Sequence, residues 1–273
     1  MMQPHSEATG GDDAALIICD SGVDDILNYL RDGLRSTLRG DLIGIYLYGS
    51  LISGDFDVSI SDIDLVVALR EPLDEARFEA LHQLHQNVLR HWPDWEDRLE
   101  LAYISQQGLR RFRSEASVIG IISPGESFHL IQAGSDWLIS WYALREDGVA
   151  LLGPPVKSLL DPISAHDYLR AVQQHIENYR DMDTAAAGAA MLAYTTLTVA
   201  RGLFTLLHGE PTSKLKAAAW ARENFPPWSP LIELALAWRI DPRPAPRVLD
   251  ETRPRVAAFV DDMLAKVPEL KDG

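Results

Sequence analysis

The chain has 273 residues, 47% of them hydrophobic, and a formal net charge of −15. This length and apolar content suffice for one large or two modest domains with true cores. The negative charge argues against nucleic acid as substrate, because a phosphate backbone requires a basic surface. A single cysteine, Cys19, excludes a disulfide framework and favours a reducing cytosol. No signal peptide or membrane-spanning run is apparent, so we expect a cytoplasmic protein without membrane contact.

The N-terminal residues predict a tail followed by an amphipathic helix. Residues 1–14 are polar and are expected to form a mobile tail. Ser21 with Asp24 three residues later resembles a capping box and predicts a helix start. The helical spacing continues at Val23, Ile26, Leu27, Leu30, Leu34 and Leu38. We expect this helix to pack against a sheet.

The segment 45–69 carries the strongest functional signal. Residues 45–48 form a β-prone run that is typical of a buried strand. Gly49 permits a tight turn close to a ligand, and Ser50 adds a hydroxyl and an N–H donor there. Such a turn is able to hold a phosphate.

Two carboxylates follow this turn about a dozen residues later. On a strand, Asp62 and Asp64 share one face, roughly 7 Å apart along the chain. They repel each other, and a hard cation such as Mg²⁺ relieves that repulsion. A D-x-D pair alone is weak, but a Gly-Ser turn followed by this pair predicts metal-assisted nucleotidyl or phosphoryl transfer. We interpret the intervening Asp55 and Asp57 as ordinary loop acids.

A second helix is predicted after Pro72 and Asp74. Its buried stripe comprises Phe78, Leu81, Leu84 and Val88. Three histidines lie on or near it at spacings that do not require a metal, and we interpret them as surface residues: His82, His85 and His91.

Glu100 is an acid within the apolar strand 98–105. Alternation places it on one face with Ala102 and Ile104. Because burying an unpaired carboxylate is unfavourable, two interpretations remain. Either this is an edge strand with Glu100 in water, or Glu100 is a third carboxylate that faces Asp62 and Asp64.

The sequence pattern changes near residue 155, from segments typical of strands and helices to segments typical of helices alone. Residues 112–127 are predicted to be irregular, and an apolar helix follows, with one side formed by Trp137, Leu138, Trp141 and Leu144. Gly153 and two prolines then mark a boundary. We expect a domain at 15–155 with a mixed sheet and helices, and an all-α bundle at 156–273. Its predicted helices begin at Ser164 and Ser213, and one from about residue 186 ends at Gly209.

The Gly-Ser turn followed by D-x-D resembles the nucleotidyltransferase superfamily of DNA polymerase β. The chain is more closely similar to the streptomycin and spectinomycin adenylyltransferases, an aminoglycoside nucleotidyltransferase family. This resemblance implies an α+β fold with a polymerase β-like N-terminal domain. It also implies ATP as co-substrate and Mg²⁺ held by Asp62, Asp64 and Glu100.

The resemblance assigns further roles by position. Gly49 and Ser50 belong to the Gly-Ser signature and are expected to cradle the triphosphate, aided by Ser61, and Glu100 matches the base that deprotonates the substrate hydroxyl. The stretch 197–221 is similar to the family's C-terminal domain in pattern and spacing. There, Arg201 and Lys214 match an Arg and a Lys that reach the phosphates of the nucleotide.

The acceptor region departs from the family. Streptomycin enzymes place acids before the segment that holds Arg201, whereas this chain has none between Asp183 and Arg201. Asp181 and Asp183 are candidate substitutes. The family's indole before the domain boundary has no match either, and Phe128 or His129 occupies that neighbourhood.

We therefore expect a monomeric adenylyltransferase that transfers AMP to a hydroxyl of a small, aminoglycoside-like cationic molecule. One alternative is an antitoxin-like enzyme that modifies a protein. Another is a degenerate module that binds nucleotide or drug without turnover, although all three carboxylates are present. The pair Arg201 and His208 also faintly resembles a motif of HEPN ribonucleases, which the acidic charge disfavours.

Overall fold

The structure, a computed structural model, describes residues 21–270. The predicted tail at 1–14 and Cys19 lie outside the described residues, and so does the side chain of Ser21, on which the predicted helix cap depends.

Six strands and ten α-helices make up this part of the chain. The strands are β1 (Leu42–Tyr48), β2 (Ile63–Leu69), β3 (Leu99–Ser105), β4 (Ser117–Ser123), β5 (Glu126–Ala133) and β6 (Val149–Leu152). The helices before β6 are α1 (Ser21–Leu38), α2 (Ser50–Ser53), α3 (Glu75–His91), α4 (Gln106–Arg111) and α5 (Leu138–Asp147). Those after it are α6 (Ala165–Glu177), α7 (Ala189–His208), α8 (Lys214–Asn224), α9 (Ser229–Ile240) and α10 (Pro246–Leu264).

All six strands form one mixed sheet in the order β5-β4-β3-β2-β1-β6. Strands β2 and β3 run parallel, whereas the other neighbours are antiparallel. Helix α3 provides the crossover that two parallel neighbours require. The expected α+β class, with an N-terminal mixed sheet and helical C-terminal part, is confirmed.

The two faces of the sheet pack against different helices. The predicted stripe of α1 is buried with that of α3 against one face, where Leu65, Leu101 and Tyr103 point. The other face carries Val66, Ala102 and Ile104, and it packs with α5 and the helices after residue 155. A continuous apolar core therefore runs from this face into the C-terminal helices. The boundary at 155 stays a prediction.

Helix α7 is the centre of the C-terminal part and contacts α6, α8, α9 and α10. It is long and apolar enough to cross a membrane, yet most of it is buried in this helical core. It ends at Gly209, whose φ of 78° is the left-handed conformation typical of a helix stop. Ser164 and Ser213 cap α6 and α8 as predicted, by accepting backbone N–H bonds.

The prediction that residues 112–127 are irregular was wrong, because strands β4 and β5 form an antiparallel hairpin there. Its turn contains Pro124 and Gly125, residue types that favour turns. The strands do not alternate cleanly, since apolar Val118 and Leu130 are exposed. The sequence pattern was therefore too weak to separate a hairpin from an irregular segment.

The interpretation of His85 as a surface residue was also wrong. Its ring is buried in the core between α3 and the sheet, and Nε2 lies 2.9 Å from the hydroxyl of Tyr103. Phe128 packs against this same pair. Burial lowers the pKa of His85 to about 4, because an apolar core disfavours the charged ring.

We predict that His85 makes the protein less stable in mild acid. Since its pKa falls from 6.5 to about 4 on folding, the unfolded chain binds more protons between these values. Its contribution to the free energy of unfolding is therefore fully present above pH 6.5 and falls by about 3 kcal/mol by pH 4. Urea unfolding at several pH values measures this slope.

The matched control lies on the same helix. His85→Phe should flatten the slope relative to the parent protein, whereas exposed His91→Phe should leave it unchanged. Equal slopes in His85→Phe and the parent protein would show that this ring titrates normally.

Candidate active site

Three carboxylates meet at one end of the two parallel strands. Asp62 directly precedes β2, Asp64 is its second residue, and Glu100 lies opposite Asp64 in the register of β2 and β3. Alternation puts Asp64 and Glu100 on the face that packs toward the C-terminal helices. Because β3 lies between β2 and β4, the edge-strand interpretation of Glu100 was wrong.

Burial and mutual repulsion disfavour the charged forms of these acids. The pKa of Asp64 rises to about 8, first through burial and then through the charges of Glu100 and Asp62. Burial also raises the pKa values of Asp62 and Glu100, and Asp62 adds to the effect on Glu100. The three carboxyl groups therefore lie within electrostatic range of one another.

The Gly-Ser turn lies directly against Asp64. Gly49 has a φ of 71°, and the N–H of Ser50 donates to the carboxylate of Asp64. A Cβ atom at position 49 would lie 2.0 Å from Asp64 Oδ2. Glycine is therefore required here both by the backbone conformation and by the close approach of the carboxylate.

The hydroxyl of Ser61 already has hydrogen-bond partners. Its side chain is buried, and Oγ accepts a bond of 2.9 Å from the backbone N–H of Asp57. Nη2 of Arg239 lies 3.4 Å from the same oxygen. Ser61 thus holds the loop between α2 and β2 in shape next to Asp62.

Positive side chains from the C-terminal helices face the carboxylates. Lys214 begins α8, and its pKa falls to about 8, first through burial and then through the charges of Arg201 and Arg239. Asp62 and Asp64 act in the opposite direction on Lys214, and Lys214 in turn favours the charged forms of the acids. The fold therefore brings Lys214 close to the sheet's carboxylates, and Arg201, on α7, close to Lys214.

Comparison with known proteins agrees with this arrangement. A model described as "Nucleotidyltransferase domain" matches residues 27–118, and one described as "Aminoglycoside adenylyltransferase, C-terminal domain" matches residues 158–266. The chain is therefore similar to nucleotidyltransferases in its N-terminal part and to aminoglycoside adenylyltransferases in its C-terminal part. The expected family resemblance and the expected nucleotidyltransferase enzyme are thereby confirmed.

Individual relatives are distant. Aminoglycoside (3'') (9) adenylyltransferases from Klebsiella pneumoniae and Escherichia coli are 25% identical over 208 residues, covering 69% of this chain and 74% of theirs. The chain is also similar to a crystal structure of a spectinomycin adenyltransferase from Enterococcus faecialis with ATP and spectinomycin. That similarity has a TM-score of 0.68 at 22% identity and covers 87% of this chain and 98% of the other.

The metal implied by this adenylyltransferase family fits the residues present. Asp62, Asp64 and Glu100 offer carboxylate oxygens, the ligands that Mg²⁺ prefers, and burial raises the pKa of each, with repulsion between the acids adding to the effect on Asp64 and Glu100. Within residues 21–270, however, no group of three or more His, Cys, Asp or Glu side chains is arranged so that it could hold a metal ion. The three carboxylates are thus suitable donors by their chemistry, but their side chains do not converge on one metal position in this structure.

Arg98 is a site residue that the sequence analysis missed. Its guanidinium donates to the carbonyl of Ser61 at 2.6 and 3.1 Å and to that of Val58 at 2.7 Å, and it lies over the ring of Trp95. It also favours the charged form of Asp62. Its position two residues before Glu100 was the available signal.

Asp55 is not the ordinary loop acid that we predicted. Its Oδ2 accepts a 3.3 Å bond from the backbone N–H of Leu215, in the first turn of α8. This contact joins the loop after the Gly-Ser turn to the helix that begins with Lys214. Asp57, in contrast, bonds locally to the N–H and hydroxyl of Ser59.

The candidate acceptor residues lie in varied settings. Phe128, in the neighbourhood where the family has an indole, is buried on the α3 face, which is the side of the sheet opposite the carboxylates. Asp183 accepts bonds from the N–H groups of Ala185 and Ala186, and Asp181 is exposed. His208 stacks on Phe204 rather than forming part of the carboxylate site.

A separate groove lies on the α1 and α3 side. It has a volume of about 490 Å³ and is lined by residues such as Tyr29, Ser36 and Asn87. This face is opposite to the one that bears the carboxylates, so the groove does not form part of the candidate active site.

We predict that two glycines of this loop differ in their tolerance of alanine. Gly49 and Gly54 both have left-handed backbones, with φ of 71° and 79°, but only at Gly49 would a Cβ collide with Asp64. Gly54→Ala should cost about 1–2 kcal/mol of unfolding free energy. Gly49→Ala should cost more and should also disturb nucleotide binding.

Chemical denaturation and ATP titration of both variants test this. If the collision with Asp64 is the cause, adding Asp64→Ala should recover part of the stability lost in Gly49→Ala, because the stability effects of substitutions at contacting residues are not additive. Equal behaviour of the two glycine variants would argue against a special contact at Gly49.

We also predict that Arg98 positions the segment that precedes Asp62. In Arg98→Lys the ammonium is unable to span the carbonyls of Ser61 and Val58, so we expect a loss of about 1–2 kcal/mol in stability. Nucleotide turnover should fall as well. The control is Arg70→Lys, because Arg70 donates to one carbonyl, that of Gly40, in a different loop.

Denaturant unfolding and initial rates of nucleotide turnover distinguish the two arginines. If Arg98→Lys and Arg70→Lys behaved alike in both measurements, Arg98 would have no positioning role at the site.

Proposed function

We propose that this protein is an ATP- and Mg²⁺-dependent adenylyltransferase that transfers AMP to a hydroxyl of an aminoglycoside-like molecule and releases pyrophosphate. The observation that carries the proposal is the meeting of three half-buried carboxylates with cations that form no ion pair with a carboxylate among residues 21–270. Similarity to the adenylyltransferases gives the reaction class, and this charge arrangement supports the finer assignment.

The cations by themselves form an unfavourable cluster. In the part of the chain from 21 to 270, neither Arg201 nor Lys214 forms an ion pair, whereas Arg222 pairs with Glu233 nearby. The pKa of Lys214 falls to about 8, first through burial and then through the charges of Arg201 and Arg239. A polyanion would relieve this repulsion, and a triphosphate has suitable charge and length.

The carboxylates pose the opposite problem. Asp62, Asp64 and Glu100 would be relieved by a divalent cation, for which all three are proposed ligands. When bound, Mg²⁺ would supply Lewis-acid polarisation of phosphate oxygens. A complex of metal and triphosphate therefore matches both charge groups at once, and this supports ATP as co-substrate.

The remaining roles follow from position. Gly49 and Ser50 would cradle the triphosphate at the turn, and Ser61 would support it from the loop. Glu100 would take the proton of the acceptor hydroxyl as its oxygen forms a bond to the α-phosphorus. The bond between α-phosphorus and the bridging oxygen then breaks, and Arg201 and Lys214 would stabilise the departing pyrophosphate.

The acceptor assignment rests on relatives. Those from Klebsiella pneumoniae and Escherichia coli are aminoglycoside adenylyltransferases, and the similar structure from Enterococcus faecialis contains ATP and spectinomycin. The net charge of −15 is compatible with a cationic acceptor. We further propose that the N-terminal domain ends near 155, that the chain acts as a monomer, and that it acts in the cytoplasm, where ATP is available.

We predict pyrophosphate release when the protein, ATP and Mg²⁺ are incubated with a suitable aminoglycoside from a panel that includes streptomycin, spectinomycin and kanamycin. Asp62→Ala should abolish the release, because it removes a carboxylate of the cluster. Arg243→Ala, in an exposed ion pair with Asp241, is the matched control that should remain active.

Two negative outcomes have different meanings. If no compound of the panel causes pyrophosphate release although ATP still binds, the aminoglycoside acceptor is rejected and a protein acceptor is favoured. If there is neither pyrophosphate release nor ATP binding, the enzyme proposal is rejected and a degenerate module is favoured.

We also predict that Glu100→Gln affects chemistry more than binding. The amide keeps the size of the side chain but is unable to accept the proton, so transfer should fall by at least about 100-fold. ATP affinity in a calorimetric titration should fall much less, because Asp62 and Asp64 would still hold the metal. If transfer and affinity fell to the same extent, the proposed role of Glu100 as base would be wrong.

A further inference from the structure

Arg239, on α9, is a half-buried cation next to the carboxylates that no sequence pattern indicated. Its Nη2 lies 3.4 Å from Ser61 Oγ, and Ser61 directly precedes Asp62. Its charge favours the ionised form of Asp62 and disfavours that of Lys214. The guanidinium therefore lies within electrostatic range of both the carboxylates and Lys214.

Its contacts differ from those of neighbouring arginines. Of the five others in the region of α8 to α10, Arg255 is exposed and four pair with a carboxylate: Arg222, Arg243, Arg247 and Arg253. Among residues 21–270, Arg239 has no such partner, and its hydrogen bond goes to a neutral hydroxyl. Because a guanidinium carries five N–H donors, most of its capacity is available to a ligand.

Three separate helices thus supply one cation each to the same place. Arg201 comes from α7, Lys214 from the start of α8 and Arg239 from near the end of α9. The charges of Arg201 and Arg239 both act on Lys214. Like charges held this close, none of which forms an ion pair with a carboxylate among residues 21–270, favour binding of an anion that carries several negative charges.

We propose that Arg239 is a third phosphate-binding residue, which contacts the β- and γ-phosphates of ATP together with Arg201 and Lys214. This inference rests on the proposed function, since it assigns a residue to the same nucleotide site. The planar guanidinium suits two adjacent phosphate oxygens, which the point charge of a lysine matches less well. Its long contact with Ser61 is readily exchanged for a charge-assisted bond to phosphate.

The test is a calorimetric titration of Arg239→Gln and Arg239→Lys with ATP, inorganic pyrophosphate and AMP, all with Mg²⁺. Arg239→Gln should bind ATP and pyrophosphate at least about 10-fold more weakly, as expected for loss of a charged hydrogen bond. AMP, which lacks the two outer phosphates, should bind as it does to the parent protein. Arg239→Lys should fall between the two for ATP.

The matched control is Arg243→Gln, four residues further on, where the arginine is exposed and paired with Asp241. It should bind all three ligands normally. Thermal melting of each variant checks folding. If Arg239→Gln melts at a much lower temperature than the parent protein, the ATP affinity of Arg239→Lys becomes the deciding measurement. An ATP affinity in Arg239→Lys equal to that of the parent would then overturn the inference.

Other results distinguish the role of Arg239 from its contact with Ser61. In a Ser61→Ala background, Arg239→Gln should still weaken ATP binding. If Ser61→Ala erased the effect, or if AMP affinity fell as much as ATP affinity, Arg239 would act only by shaping the loop. Normal ATP binding by Arg239→Gln would overturn this inference alone, whereas failure of the parent protein to bind ATP would overturn the proposed function too.

Discussion

The structure depends on holding three acids close together in a partly apolar setting. Asp62, Asp64 and Glu100 repel one another, and burial raises the pKa of each. Such an unfavourable arrangement persists only where the surrounding structure fixes the position of each acid. Here the register of β2 and β3 fixes Glu100 opposite Asp64, while the Ser50 N–H holds the carboxylate of Asp64.

The opposing cations come from a different part of the chain and depend on the shared core. The sheet face that bears the acids continues, through Val66 and Ala102, into apolar packing with α5 and α7. That packing sets where α8 begins, and the bond from Leu215 to Asp55 connects the same helix to the loop after Gly49. The apolar core thus determines the distance between opposite charges that do not pair directly.

The sequence predicted what depends on local spacing. The Gly-Ser turn, the D-x-D pair and the alternation around Glu100 are each visible within a few consecutive residues. The two-residue period of a strand then predicts which of these side chains share a face of the sheet. The helix stop at Gly209 and the caps at Ser164 and Ser213 are equally local. In contrast, His85 and Phe128 are buried because α3 and β5 meet across one sheet face, and no short pattern specifies that meeting.

Arg98 and Arg239 escaped prediction for the same reason. A lone arginine at the edge of an apolar segment is usually solvated, and only tertiary contacts distinguish one that holds a loop from one on the surface. Arg98 became recognisable through its bonds to Val58 and Ser61, and Arg239 through the absence of a carboxylate partner in the described chain.

The two charge groups also constrain how ligands would enter the proposed site. The pKa of Asp64 rises to about 8 and that of Lys214 falls to about 8, so each group opposes its own full ionisation near neutral pH. A divalent cation bound alone would relieve the acids and leave the repulsion among Arg201, Lys214 and Arg239. A triphosphate bound alone would relieve the cations but face the carboxylates. Because each ligand offsets the charge that hinders the other, their binding free energies are coupled. The separation of acids and bases onto two parts of the fold therefore favours a metal–nucleotide complex over either component.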